Sequence, residues 1–232
     1  DDIITKRCKL VPKNHSLIFN NLISKAKANN DFYSFSRSLY AGPYPEVKLK
    51  KGTINTSLYV SLPMMRKMIP KNTSYKSFFI LRDPRDLMIS VYFSMKNSHP
   101  VIDSTVQDTR IKLQNSNFEE GMKYCIDTTV EKSMLFLGQQ SWLENELNET
   151  EQVFRFEDFT NNYIGFVNNL IDFLDLDLPF GERNKLINKY DFKNFSDGRS
   201  KGENNTNSHY RSGKAEQWRE HFTPFLEEYF KK

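Results

Sequence analysis

Two stretches of this chain carry side chains suited to holding an anion. Arg82 follows the apolar run Ser77-Phe78-Phe79-Ile80-Leu81, and Ser90 comes about two helical turns later. Arginine offers phosphate a planar, permanently charged fork, and serine adds a short hydroxyl donor. In the tail, Arg211-Ser212-Gly213 lies in a polar stretch, where a side chain and backbone N–H groups can wrap an anion together. Each stretch alone has a plainer reading. Arg82 could pair locally with Asp83 or Asp86 while Ser90 packs a helix, and residues 208–213 could be a merely soluble loop.

The surrounding elements decide where these groups lie. Residues 77–81 read as a strand buried on both faces of a parallel sheet. Arg82 leaves its carboxyl end, where ligands of open α/β sheets bind. Asp83 stands where an N-cap belongs and Pro84 at the first helical position, which predicts a helix over 84–96. Upstream, residues 3–11 read as a strand, Pro12-Lys13-Asn14 as a turn, and a helix follows to about Lys27. Gly42-Pro43-Tyr44-Pro45 marks a loop, residues 58–62 a second strand, and Pro63 a helix start. Further on, 117–146 is helical by pattern, 151–156 a strand, 161–175 an amphipathic helix and 197–210 a loop before a short final helix. Alternating strands and helices predict an α/β fold, a central parallel sheet flanked by helices, as one domain over residues 1–232.

Composition narrows the function classes. The 232 residues are 38% hydrophobic, and 19 Phe with 11 Tyr can fill a sizeable core. No apolar run approaches the roughly 18 residues of a membrane span. A net charge of +4 without a dense Lys/Arg block argues against nucleic acid and suits an anionic small ligand or a solvated basic surface. Cys8 and Cys125 form no disulfide framework and no metal-ligand spacing, so no metal is expected and a reducing, cytoplasmic setting is the simpler one. Asn72-Thr73-Ser74 and Asn148-Glu149-Thr150 are triplets that an Asn-rich chain yields by chance. Opening on Asp1 rather than Met, the chain reads as a processed form or a fragment.

Taken together, the two anion-binding stretches resemble one family. Arg82-Asp83-Pro84-Arg85-Asp86-Leu87-Met88-Ile89-Ser90 is similar to the RxPxDxxxS segment of sulfotransferases that use PAPS (3′-phosphoadenosine-5′-phosphosulfate). Tyr210-Arg211-Ser212-Gly213 with Trp218, Phe222 and Thr223 resembles their RKGxxGDWKxxFT segment, with Ser212 in place of Lys and Glu216-Gln217 in place of Gly-Asp. Phe154-Arg155-Phe156-Glu157-Asp158-Phe159, Asp191-Phe192-Lys193 and Leu62-Pro63 resemble three further elements in the expected order. The resemblance runs from about residue 3 to Pro224. It implies a P-loop-type sheet, PAPS as donor and PAP (3′-phosphoadenosine-5′-phosphate) as product. It also implies a 3′-phosphate held by Arg82, Ser90, Arg211, Ser212 and Gly213, with Phe156 and Phe192 at the adenine.

The chain departs from that family in its first loop, usually (Y/F)PKSGTTW. Here it reads Val11-Pro12-Lys13-Asn14-His15-Ser16-Leu17-Ile18. The resemblance gives Lys13 the leaving phosphate and Asn14, His15, Ser16 and Leu17 the 5′-phosphate cradle. His15 takes the glycine position, which penalises any site needing φ > 0, and Leu17 removes a hydroxyl. Ser61 takes the position of the family's catalytic His, and a lone serine hydroxyl is no base near neutral pH. His15 and Glu46 are alternative bases, and His15 is equally a polar residue of a surface turn. Two functions follow: sulfuryl transfer to a hydroxyl or amine of a small-molecule or biopolymer acceptor, or a pseudoenzyme that keeps the nucleotide site. Acceptor contacts are expected from residues 29–57 and 97–117, on variable loops of a shared scaffold. A P-loop ATPase or kinase would need GxxxxGK(S/T), which is absent. Oligomeric state has no signal here.

Overall fold

The computed structural model describes residues 11–14, 49–56, 60–101, 104–132 and 135–231. Expectations over residues 3–10, the helix reaching Lys27, the Gly42–Pro45 loop, His15, Ser16, Leu17 and Glu46 lie outside them. The described chain forms an α/β fold of two compact units. One takes the chain up to Phe79 and Thr128–Val153, the other Ile80–Asp127 and Phe154–Lys232.

In the first unit, β1 (Val11–Asn14) pairs in parallel with β2 (Thr53–Thr56), Lys13 lying opposite Asn55. A turn was expected at 12–14, where β1 lies; of the strand expected at 58–62, residues 60–62 are not strand and Leu58 and Tyr59 lie outside the described residues, while β2 at 53–56 was not expected. Parallel pairing explains the difference, because a polar segment such as Thr-Ile-Asn-Thr becomes a strand once a partner satisfies its backbone. Helix α1 (Leu62–Met68) starts with Pro63 in its first turn, as expected. It buries Leu62, Met64, Met65 and Met68 with Leu49, Val60 and Trp142 in one apolar cluster. Trp142 belongs to α5 (Leu135–Glu144) and stacks on Phe79 at 5.4 Å between ring centroids. Arg66 of α1 forks onto the buried Glu151 carboxylate, which also accepts from the Tyr75 hydroxyl at 2.8 Å.

Strand β3 (Ser77–Leu81) has the expected bounds and lies beside β4 (Glu151–Arg155). It is not buried on both faces. Phe78 and Ile80 are 38% and 45% exposed while alternate residues turn inward, so an apolar run that sequence reads as two-sided is one-sided here. The second unit opens with α2 (Pro84–Phe93), continued by a π-turn over Ser94–Ser98. It goes on through α3 (Ser104–Gln114) and α4 (Phe118–Lys132), which crosses back into the first unit. Segment 97–117 was expected to be loop, and most of it is α3. After β4, Phe156 begins α6 (Phe156–Asn161) rather than ending the strand, and α7 (Tyr163–Phe173) and α8 (Phe180–Lys189) follow. Phe192–Asn194 forms a 3-10 turn, residues 197–210 form the expected loop, and α9 (Trp218–His221) with α10 (Pro224–Phe230) closes the chain.

Candidate functional site

The second unit gathers the anion-binding candidates. Pro84 fits the first turn of α2, where its missing N–H costs nothing. The Asp83 carboxylate accepts the Arg85 N–H at 2.9 Å, so the helix is capped beside Arg82. The Arg85 guanidinium closes a fork on both Asp83 oxygens, at 3.0 and 2.6 Å, and lies over the Trp218 ring at 3.4 Å. Burial raises the Asp83 pKa, but the Arg85 hydrogen bonds and charge prevail and hold it below the usual value. Of the two local partners weighed for Arg82, Asp83 forks with Arg85, while Asp86 remains the strongest opposite charge on Arg82. Ser90 is partly buried on α2.

Arg82 instead stands over the ring of Phe156 at 4.4 Å, and Arg211 over that of Phe93 at 4.3 Å. Burial lowers the pKa of both guanidiniums. For Arg211 the charge of Arg82 adds to burial and brings the value to about 10, against the pull of Asp86 and Glu220. Arginine does not shed its proton readily, so the physical content is two partly buried positive charges that repel each other. Phe93, Phe118 and His221 pack round Arg211's platform, with His221 5.5 and 5.6 Å from the two rings.

Gly213 and Phe192 lie against each other. The backbone at Gly213 has φ of 65°, and a Cβ there would lie 2.8 Å from the Phe192 ring. Neighbouring Ser212 is buried, its carbonyl accepting the Gly202 N–H at 2.8 Å and its hydroxyl oxygen the Lys214 N–H at 3.4 Å. Phe156 sits under Arg82 and 5.8 Å from Phe159.

Of the first-unit candidates, Lys13 and Asn14 lie on β1. Ser61 is 4% exposed at the start of α1, where its side chain does not cap the helix. The Leu62 N–H there bonds the Ser141 hydroxyl instead, at 3.0 Å. Sequence reasoning missed Asp86, Phe93, Arg199 and His221. Asp86 stood in plain sight as the D of RxPxDxxxS. Nothing in the string marks Arg199.

Strand, helix and parallel pairing define an α/β protein in class, with Arg82 between a strand and the helix that follows it. The description "Sulfotransferase domain" matches residues 13–232, and the chain belongs to that family. Among solved structures it resembles a mouse sulfotransferase, SULT7A1, complexed with PAP, with 16% identity and a TM-score of 0.54. That match covers 77% of this chain and 63% of the other, so the chain spans less than two thirds of that structure and shares its fold. No curated protein matches the chain by sequence. Among the described residues no helix is long and apolar enough to cross a membrane, and no group of His, Cys, Asp and Glu could hold a metal ion.

Proposed function

We propose that the chain is a sulfotransferase of one domain that takes PAPS as donor and transfers its sulfuryl group to a hydroxyl or amine of an acceptor. The observation that supports this most is that Arg82 and Arg211, both partly buried, each stand over a phenylalanine ring in the second unit. A nucleotide 3′-phosphate would neutralise both, with the Ser90 hydroxyl as a further donor. Gly213 leaves room for the Phe192 ring, and Phe156 and Phe192 supply aromatic faces for adenine. The residues present therefore fit the 3′-phosphoadenosine end of PAPS.

When bound, PAPS supplies an activated sulfuryl group on a phosphate leaving group. In this reading Lys13 neutralises charge on the leaving 5′-phosphate oxygen. Asn14, His15, Ser16 and Leu17 line that phosphate with backbone N–H groups. Ser212 contributes a hydroxyl and backbone where the family has a cation. His15 is the candidate proton acceptor, and a phenolic acceptor would need little help from any base. The buried Ser61 favours a second reading, in which nucleotide binding persists without transfer. The cytoplasmic setting belongs to the same proposal.

Calorimetric titration with PAP, and with ATP as control, tests the site. PAP should bind selectively, and Arg82→Ala or Arg211→Ala should weaken it by about tenfold or more, the worth of a charge-assisted bond. Unchanged PAP affinity in both variants would sink the clamp. Incubation with PAPS and a panel of phenols, alcohols and amines separates the two readings, since only a transferase yields PAP together with sulfated acceptor.

A further inference from the structure

Residues 200–217 contain no helix or strand, yet they carry Arg211 and Gly213. Two side chains anchor their backbone. Arg199 directs its fork at main-chain carbonyls: Nε at Ser196, 2.9 Å, Nη1 at Glu203 and Arg211, both 2.9 Å, and Nη2 at Tyr210, 2.7 Å. At the other end Asp86, fully buried on α2, accepts the N–H groups of Glu216 at 2.6 Å and Trp218 at 2.9 Å. Between them the Arg211 carbonyl accepts a second bond, from the Asn205 N–H at 2.9 Å. Lys201 adds a tether to the Thr160 carbonyl at 3.1 Å.

The geometry points to Arg199 and Asp86 as positioning residues that pre-form the tail half of the 3′-phosphate clamp; this rests on the PAPS reading above. Asp86 joins the helix bearing Ser90 to the segment just past Gly213. Arg199 fixes the Tyr210 and Arg211 carbonyls, one on each side of the Arg211 Cα. An unanchored loop would have to be ordered when ligand arrived, and that lost freedom would lower affinity. Preorganisation matters more here because Ser212 brings no second charge, leaving Arg211 to carry the tail's side of the contact.

The test compares PAP with adenosine 5′-phosphate, which lacks the 3′-phosphate, by calorimetry on the full chain. Wild type should prefer PAP. Arg199→Ala and Asp86→Asn should each lose about tenfold in PAP affinity while affinity for adenosine 5′-phosphate stays within about twofold, because only the 3′ contact depends on the loop. Arg199→Lys, which keeps charge and stem but not the fork, should resemble Arg199→Ala and serves if that variant does not fold. General structural damage would weaken both ligands alike. Folded variants that keep the wild-type preference overturn the positioning role and leave the clamp standing. A wild type without preference for PAP overturns the clamp, and this inference with it.

Discussion

A Cβ at position 213 would meet the Phe192 ring at 2.8 Å, in a backbone already at φ of 65°. Sterics and conformation therefore both require glycine there. Gly213→Ala should lower stability by about 1–2 kcal/mol from the left-handed backbone alone, and displacing Phe192 should weaken PAP as well. Thermal unfolding and PAP titration on one preparation check both; a variant with wild-type values in each would show that Gly213 is dispensable. Glu216 makes the contrast. It holds φ of 59° without being glycine, where the family pattern has one, and its N–H reaches the buried Asp86 carboxylate. That bond keeps a strained residue in place at a cost of about 1 kcal/mol. Neither fact is legible in the string, since Gly213 reads as a loop residue until its aromatic neighbour is known.

At the scale of elements, what local chemistry dictates was legible and what distant partners dictate was not. Asp83-Pro84 announces α2 because capping and proline geometry act within a few residues, and the helix begins where they place it. Replacing Asp83 with Ala removes the cap and the Arg85 fork together. It should cost about 1–2 kcal/mol, read as a shift in the denaturant midpoint; a loss under a few tenths would mean that Glu157, which accepts the Asp83 N–H at 2.9 Å, holds the turn alone. By contrast, β2 is Thr-Ile-Asn-Thr, and only parallel pairing with β1 makes it a strand. Helix α3 buries just Val106 and Leu113, too thin an apolar stripe to stand out from a loop. Arg82 and Arg211 stood out in the sequence by residue type and context, while Asp86 and Arg199 act by side-chain-to-backbone bonds that leave no period in the sequence.

For the molecule as a whole, the burial of a histidine beside an arginine should appear in how stability responds to acid. His221 lies against Phe93 and Phe118. Its folded pKa is held below the ordinary 6.5, first by burial and then by the Arg211 charge, while Glu220 and Asp86 pull the other way. Because the folded value is depressed, the unfolded chain takes up this proton first. Stability from the neutral imidazole is then complete above about pH 6.5 and is lost as pH falls through the folded value. Asp86 has the opposite sign: burial raises its pKa despite the Trp218 and Glu216 N–H groups and Arg82, so its contribution falls as pH rises from the carboxylate range. Because the two groups act with opposite sign, the difference between wild type and a His221 variant reports His221 in the neutral-to-mildly-acid window. Melting temperature should drop between about pH 7.5 and pH 5.5 in wild type, and His221→Phe, which keeps an aromatic ring against Phe93 and Phe118 without a titrating nitrogen, should flatten that drop. Equal slopes in the two proteins would show that the imidazole titrates alike folded and unfolded. A flattened slope would tie the acid sensitivity of the fold to His221, whose imidazole is disfavoured as a cation first by burial and then by Arg211.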